Sequence, residues 1–348
     1  MKKTLNILLS LTIVVLTMVS FIACSSEMPV DNSKKTEDKH LSGPIPASVE
    51  VKIVYGHLHG YTGFHENARM AGTTFITPKP TFKFRLENNQ WIADKNNPKY
   101  LYAFSSNSYF NTEGARAYAL DIHYFDANGK DITAEMVANG KEDKLQHFFV
   151  PEDVKPLNDF DKNIDNPNNN DFFRYDYIDP TPFGKTMHDD NAKYNGLKNP
   201  MGFKGYMTFG YSRQTFKLAV KLMEAKGKKD ITYKKVDFIT NDHINEHTHN
   251  YKQVASWTPT KEQKEDNLWY PTFYIPVMVY ACWGEEYSGD VEMGEDGSLP
   301  KIETLEPKTQ RLIKTIQNNL GLSYKEIIEN LYYQLKGDAN PEAGTYWF

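Results

Sequence analysis

The sequence predicts a mainly β protein: antiparallel, sandwich-like module(s) with a C-terminal α-hairpin. Three observations carry this. The chain holds 22 Tyr and 20 Phe, which recur with Val, Ile and Leu in short runs that alternate apolar with polar residues, the period of a half-buried strand. Gly, Pro, Asn and Asp separate those runs and supply turn chemistry. Past residue 300 the apolar spacing changes to that of a helix.

The folded body starts near Val49. There Val49, Val51, Ile53, Tyr55, His57 and His59 share one face of an alternating strand, and Glu50 and Lys52 fall on the other. Further strands are expected over residues 81–86, 100–104, 117–125 and 147–150. Asp126-Ala127-Asn128-Gly129 ends the third of these, because Asn-Gly accepts positive φ. Residues 151–200 are rich in Asn, Asp and Pro with little periodicity, which marks a long connection or a domain boundary. The body, residues 48–300, is therefore expected to hold one or two modules. Strand patterns resume over 205–209, 216–222, 233–240 and 273–280, and Ala225-Lys226-Gly227-Lys228 reads as a hairpin turn between two of them.

Residues 301–348 hold the helical part. Leu312, Ile316 and Leu320, then Ile327, Ile328, Leu331 and Leu335, recur at helical spacing. Ser323 and Glu326 form a capping-box pattern just after Gly321, which predicts two helices within residues 306–336.

Ahead of the body, Lys2 and Lys3 precede an apolar run from Leu5 to Ile22, which leads into Ala23 and Cys24. A charged start, an apolar middle and a small residue before the cysteine define an export leader rather than a spanning helix. The motif Phe21-Ile22-Ala23-Cys24 resembles the signal of bacterial lipoproteins, although Phe21 stands where such signals more often carry Leu. The resemblance covers the leader and Cys24 alone. It implies removal of residues 1–23, lipidation of Cys24 and anchorage to a membrane of the bacterial cell envelope. Residues 24–47 then form a polar, Pro-containing flexible tether.

Composition narrows the function. The formal net charge is −5, more negative once Lys2 and Lys3 leave with the leader, so the body is not built to neutralise phosphates and nucleic acid is an unsuitable partner. The chain has two cysteines; with Cys24 lipidated, Cys282 has no partner for an intramolecular disulfide. In Val279-Tyr280-Ala281-Cys282-Trp283 it reads as a core thiol.

Chemistry concentrates in histidine. Two short segments carry six of the ten histidines: His57, His59 and His65 in one, His243, His247 and His249 in the other. Neutral imidazole is a good ligand for zinc, copper or nickel, and a His-x-His pair on a strand presents two rings from one face. Gly56 and Gly60 flank the first pair. In the second segment a strand would align all three histidines, whereas a helix would align His243 with His247 and turn His249 away. Both patterns are present. His40, His123, His147 and His188 are isolated and read as ordinary core or surface residues.

Three enzyme resemblances arise. Gly56-His57-Leu58-His59 is similar to the closing motif of metallophosphoesterases, but the upstream motifs of that family are missing. His-x-His near an opening strand also resembles amidohydrolases, whose parallel barrel conflicts with the strand-rich pattern. His243-x-x-Glu246-His247 matches the inverted zinc-protease motif, in which Glu246 would activate water. Separately, Asp159, Asp161, Asn163 and Asp165 have alternating oxygen spacing, yet Ile164 and Asn170 stand where a calcium loop needs Gly and Glu, so calcium is a weak match. Trp257, Trp269, Trp283 and Trp347 are candidates for sugar platforms if exposed, though most aromatics should be core.

These readings favour a binding protein over an enzyme. The leading expectation is a lipid-anchored envelope protein that captures a transition metal, zinc first, or haem, for handover to an uptake transporter. A surface glycan- or peptide-binding lipoprotein is the alternative, and a zinc hydrolase using Glu246 a second.

Overall fold

The structure, a computed structural model, describes residues 45–59, 63–66, 80–105, 116–157, 173–186, 189, 191–196, 198–210, 213–241, 247–282 and 293–335. Its strands are β1 (Ser48–His59), β2 (Gly63–Glu66), β3 (Thr81–Glu87), β4 (Gln90–Ala93), β5 (Leu101–Ser105), β6 (Arg116–Phe125), β7 (Leu145–Pro156), β8 (Phe173–Tyr177), β9 (Pro180–Thr181) and β10 (Lys193–Tyr194). They continue with β11 (Lys204–Phe209), β12 (Gln214–Glu224), β13 (Tyr233–Asn241), β14 (His247–Ala255), β15 (Leu268–Trp269) and β16 (Phe273–Cys282). The helices are α1 (Thr133–Met136), α2 (Lys261–Asp266), α3 (Pro307–Leu320) and α4 (Tyr324–Leu335).

Two main sheets face each other. The first has seven strands in the order β4-β3-β1-β6-β11-β8, with β2 pairing on β1. The second has five: β15-β12-β16-β5, with β7 on β12. Pairing is antiparallel except for β16 with β5. The alternation seen in the sequence decides which side of each strand is dry. Val49, Val51, Ile53 and Tyr55 of β1 join Leu120, Ile122 and Tyr124 of β6 in a core with Leu218, Val220 and Leu222 of β12 and Ile275, Val277 and Val279 of β16. Phe84 meets Phe273 at 4.9 Å between ring centroids, and Phe149 stacks on Tyr175 at 3.7 Å, so aromatic rings bridge the two sheets.

The second sheet is covered on its outward face as well over part of its width, while Lys217 and Tyr274 stay exposed. Its outward positions Tyr102, Phe104, Met278 and Tyr280 pack against Leu312, Ile313, Ile316, Ile327 and Ile328 of α3 and α4, which makes the C-terminal helices the third layer. Gly321 ends α3 in the left-handed region at φ 69°, a conformation that favours glycine. The expected capping box opens α4: Ser323 N–H donates to Glu326 Oε2 at 2.8 Å and Glu326 N–H to Ser323 Oγ at 3.3 Å.

Two expectations are corrected. Residues 225–228 do turn, but β12 and β13 do not pair across that turn; β12 sits between β7 and β16, and β13 pairs with β14 as a separate ribbon. The stretch 151–200 is not an empty connection either. It contains the end of β7 and all of β8, every residue of which is buried. Strands from before and after it pair directly, β6 with β11 and β5 with β16, so the β-rich residues form one body. Phe173, Tyr175 and Tyr177 of β8 do alternate with Arg174 and Asp176, but over five residues only, inside a stretch rich in Asn, Asp and Pro.

Candidate functional site

The apolar face of β1 runs out at Tyr55, and the same alternation then reaches His57 and His59. Residues 60–62 join β1 to β2, which folds back antiparallel with Gly56 opposite Glu66, His57 opposite His65, Leu58 opposite Phe64 and His59 opposite Gly63. On the other side of β1, His57 is the register partner of Arg116 in β6. Antiparallel partners share a face, with Cβ atoms about 4.5–5.5 Å apart, and positions i and i+2 share it too. Positions 57, 59 and 65 therefore fall on one face of the hairpin. Leu58 and Phe64, one step out of phase, are buried in the apolar cluster on the opposite face with Val54, Ala117, Ala119, Ile178 and Tyr206. That cluster fixes the register, since a slip of one residue would exchange the two faces.

The second histidine segment is a strand where it is described. His247 and His249 open β14, opposite Asn241 and Ile239 of β13, so they occupy one face by the i, i+2 rule. His243 and Glu246 lie outside the described residues. The inverted zinc-protease reading needs His243 and His247 on one helix, and His247 stands in a strand. The two histidine hairpins belong to different sheets. The residues suggested for calcium, together with Cys24, Trp283 and Trp347, also lie outside the described residues. Cys282 pairs in register with Ser105. Among the side chains described, no group of three or more His, Cys, Asp or Glu forms a metal cluster.

Of the isolated histidines His123 and His147 are described and read as expected, while His40 and His188 lie outside the described residues. His147 is wholly buried, with Nδ1 3.2 Å from the Met201 carbonyl and Nε2 2.9 Å from the Tyr124 hydroxyl. A carbonyl only accepts, so Nδ1 carries the proton and Nε2 accepts from Tyr124. Burial pushes this imidazole down to about 3, which keeps it neutral. His123 instead holds Asp131 at 2.7 Å and Asp121 at 3.0 Å, one carboxylate on each ring nitrogen. Its pKa is raised, chiefly by the hydrogen bond that it donates to Asp121. Trp257 is core, with Lys234 Nζ 4.3 Å from its ring centroid, and Trp269 packs on Phe148.

Three buried polar groups carry no sequence signal. Asp179 is fully buried and accepts from the backbone N–H groups of Met201, Gly202, Phe203 and Lys204 at 2.7–3.0 Å. Lys229 donates to the Glu142 and Leu145 carbonyls at 2.7 Å each, and burial lowers its pKa to about 7. Arg174 pairs with Asp176 inside the first sheet. Asp179 and Lys229 depend on partners distant in sequence, which no local spacing could reveal, whereas Arg174 and Asp176 stand two residues apart on β8.

Fold and site together define a mainly β sandwich, backed by an α-hairpin, with a histidine-bearing β-hairpin at one end of β1. The chain matches no protein-family model, no curated protein and no solved structure.

Proposed function

We propose that this chain is a lipid-anchored protein of the bacterial cell envelope that captures a transition metal, zinc first, on the β1–β2 hairpin. The observation that carries the reading is the register of His57 opposite His65, with His59 two positions along the same strand. Three imidazole-bearing positions on one face, two of them directly cross-strand, suit a tetrahedral ion with Zn–N bonds of about 2.0–2.1 Å and one coordination position left for an incoming ligand. An open position suits capture and handover better than permanent structural binding. The leader and tether, read from sequence, would hold this hairpin near a membrane and within reach of an uptake transporter. Haem is the variant within the class, because paired histidines serve as axial ligands. His243, His247 and His249 are assigned a secondary role as ligands, of which His247 and His249 lie on β14.

The deciding experiment is elemental analysis of the protein from Ser25 onward, purified without a histidine tag, beside the His57→Ala/His59→Ala and His65→Ala variants. Stoichiometric zinc, copper or nickel in the parent, lost in the double variant and weakened in the single one, is expected. A parent that carries no metal and takes up none when supplied would overturn the proposal, as would a double variant that binds at full affinity.

A further inference from the structure

Arg116 opens β6 and is the register partner of His57, which lies opposite His65 on its other side. The three positions make one row across β2, β1 and β6, and neighbours in a row share a face with Cβ atoms about 4.5–5.5 Å apart. Position 59, two residues along β1, falls on that face as well. An arginine position therefore stands in the same row as two of the three histidines assigned to the metal.

That face is the inner face of the first sheet, one step beyond the last sealed layer of the sandwich. Tyr55 and Tyr118, two residues before His57 and two after Arg116, are partners in register, both 1% exposed, with ring centroids 5.2 Å apart. The Tyr118 hydroxyl accepts from Phe104 N–H at 2.7 Å, which ties the end of β5 to β6 at this level. Apolar packing beside the row lowers the local dielectric and strengthens attraction between opposite charges.

Charge then decides what completes the site. Three neutral imidazoles leave the two positive charges of zinc uncompensated, and Arg116 adds a third. The one acidic position in β2 and in the paired ends of β1 and β6 is Glu66. It lies opposite Gly56, one step out of phase, so it falls on the other face with Leu58 and Phe64. A neutral or cationic ligand leaves the positive charge in place, whereas an anion offsets part of it. A carboxylate offers two oxygens, one to replace water on zinc at about 2.0–2.2 Å and one to accept from the planar fork of an arginine.

We propose that the ligand entering the fourth coordination position is a carboxylate, bound by zinc and Arg116 together. Its source is a small organic acid or an acidic side chain of the protein that receives the metal. The proposal rests on the metal reading of the β1–β2 hairpin and adds Arg116 to it.

The test uses the protein from Ser25 onward loaded with cobalt(II), whose visible spectrum reports exchange at the metal as d¹⁰ zinc does not. Sodium acetate is titrated as the small acid and the blocked peptide acetyl-Gly-Glu-Gly-amide as the protein side chain, with cobalt content measured in every sample. At least one should bind saturably and shift the spectrum, and the tighter of the two names the source. Arg116→Gln should weaken binding by about tenfold or more, the scale of a lost charge-assisted pair. Arg116→Lys keeps the charge without the fork and should fall between. Should Arg116→Gln fail to fold, as judged by near-UV circular dichroism, Arg116→Lys decides alone. A cobalt-loaded parent that responds to neither carboxylate, or Arg116 variants that bind them as the parent does, overturns the proposal and leaves the metal reading standing. Loss of cobalt from a folded Arg116→Gln overturns it too, because Arg116 would then act on the metal site itself. A parent that takes up no cobalt removes the metal reading and this proposal with it.

Discussion

The imidazole of His147 stacks on the phenol ring of Tyr124, with centroids 5.8 Å apart and planes 13° from parallel, while its Nε2 accepts from the Tyr124 hydroxyl. Ring contact and hydrogen bond thus join β7 of one sheet to β6 of the other. The pair is buried, so its polar atoms depend on each other and on Met201.

Acid should therefore loosen the fold through His147. Its folded-state pKa, about 3, lies below the ordinary 6.5, so its contribution is fully present above about pH 6.5 and is lost as pH falls toward 3. Urea midpoints measured between pH 7 and 4 should decline. In His147→Leu the protein should be about 2–5 kcal/mol less stable at pH 7, because two buried partners lose their bonds, and its decline with acid should be shallower. An equally steep decline in the variant would assign the acid sensitivity elsewhere.

His123 should act with the opposite sign. Flanked by Asp121 and Asp131, it has a raised pKa, so the stability it contributes is complete below about pH 6.5 and fades as pH rises through the folded-state value. Comparing parent with His123→Gln by thermal melting, the gap should be widest near pH 6 and should narrow by pH 9. A gap that does not change with pH would mean that packing alone matters here.

Asp179 organises the loop before β11 by accepting four backbone N–H groups. Asp179→Ala strands all four in a buried site and should cost at least ~3 kcal/mol, given that hydrogen bonds to a charged group contribute ~1.5–3 kcal/mol each. Asp179→Asn keeps one accepting oxygen and should fall between variant and parent in urea denaturation. Parent-like stability of the alanine variant would refute this role.

Zinc should stabilise the folded protein if the β1–β2 hairpin binds it. At free zinc near a hundredfold above Kd the gain should be about 2.7 kcal/mol, removed by EDTA and lacking in His57→Ala/His59→Ala. Differential scanning calorimetry with and without chelator reads this directly. Equal stabilisation of parent and double variant would place the metal at another site.

The helical hairpin should unfold with the sandwich rather than before it. Ile313 is fully buried between α3 and the second sheet, so Ile313→Ala should cost about 2–5 kcal/mol. Far-UV and near-UV signals should shift together in that variant. Separate helical and aromatic transitions would show that the helices are an independent unit.

Strands β1, β3, β5, β6, the first part of β7, β11, β12, β13 and β16 and both C-terminal helices were legible in the sequence, because apolar alternation, turn residues and caps act over a few neighbours. Ser323 with Glu326, and Asn128 with Gly129, are signals of that local kind. β8 was passed over, since its alternation of Phe173, Tyr175 and Tyr177 with Arg174 and Asp176 lasts five residues only amid a stretch rich in Asn, Asp and Pro. Pairing was hidden as well: the turn at 225–228 suggested a hairpin, but β12 lies between β7 and β16 and β13 pairs with β14. The sequence by itself determined the mainly β class, the helical hairpin and the histidines at positions 57 and 59. Only the tertiary structure decided that His65 comes opposite His57, and that Asp179 gathers four N–H groups from a loop more than twenty residues away. Each of these depends on which distant backbone lies alongside, and that is set by the burial of whole faces rather than by neighbours in the chain.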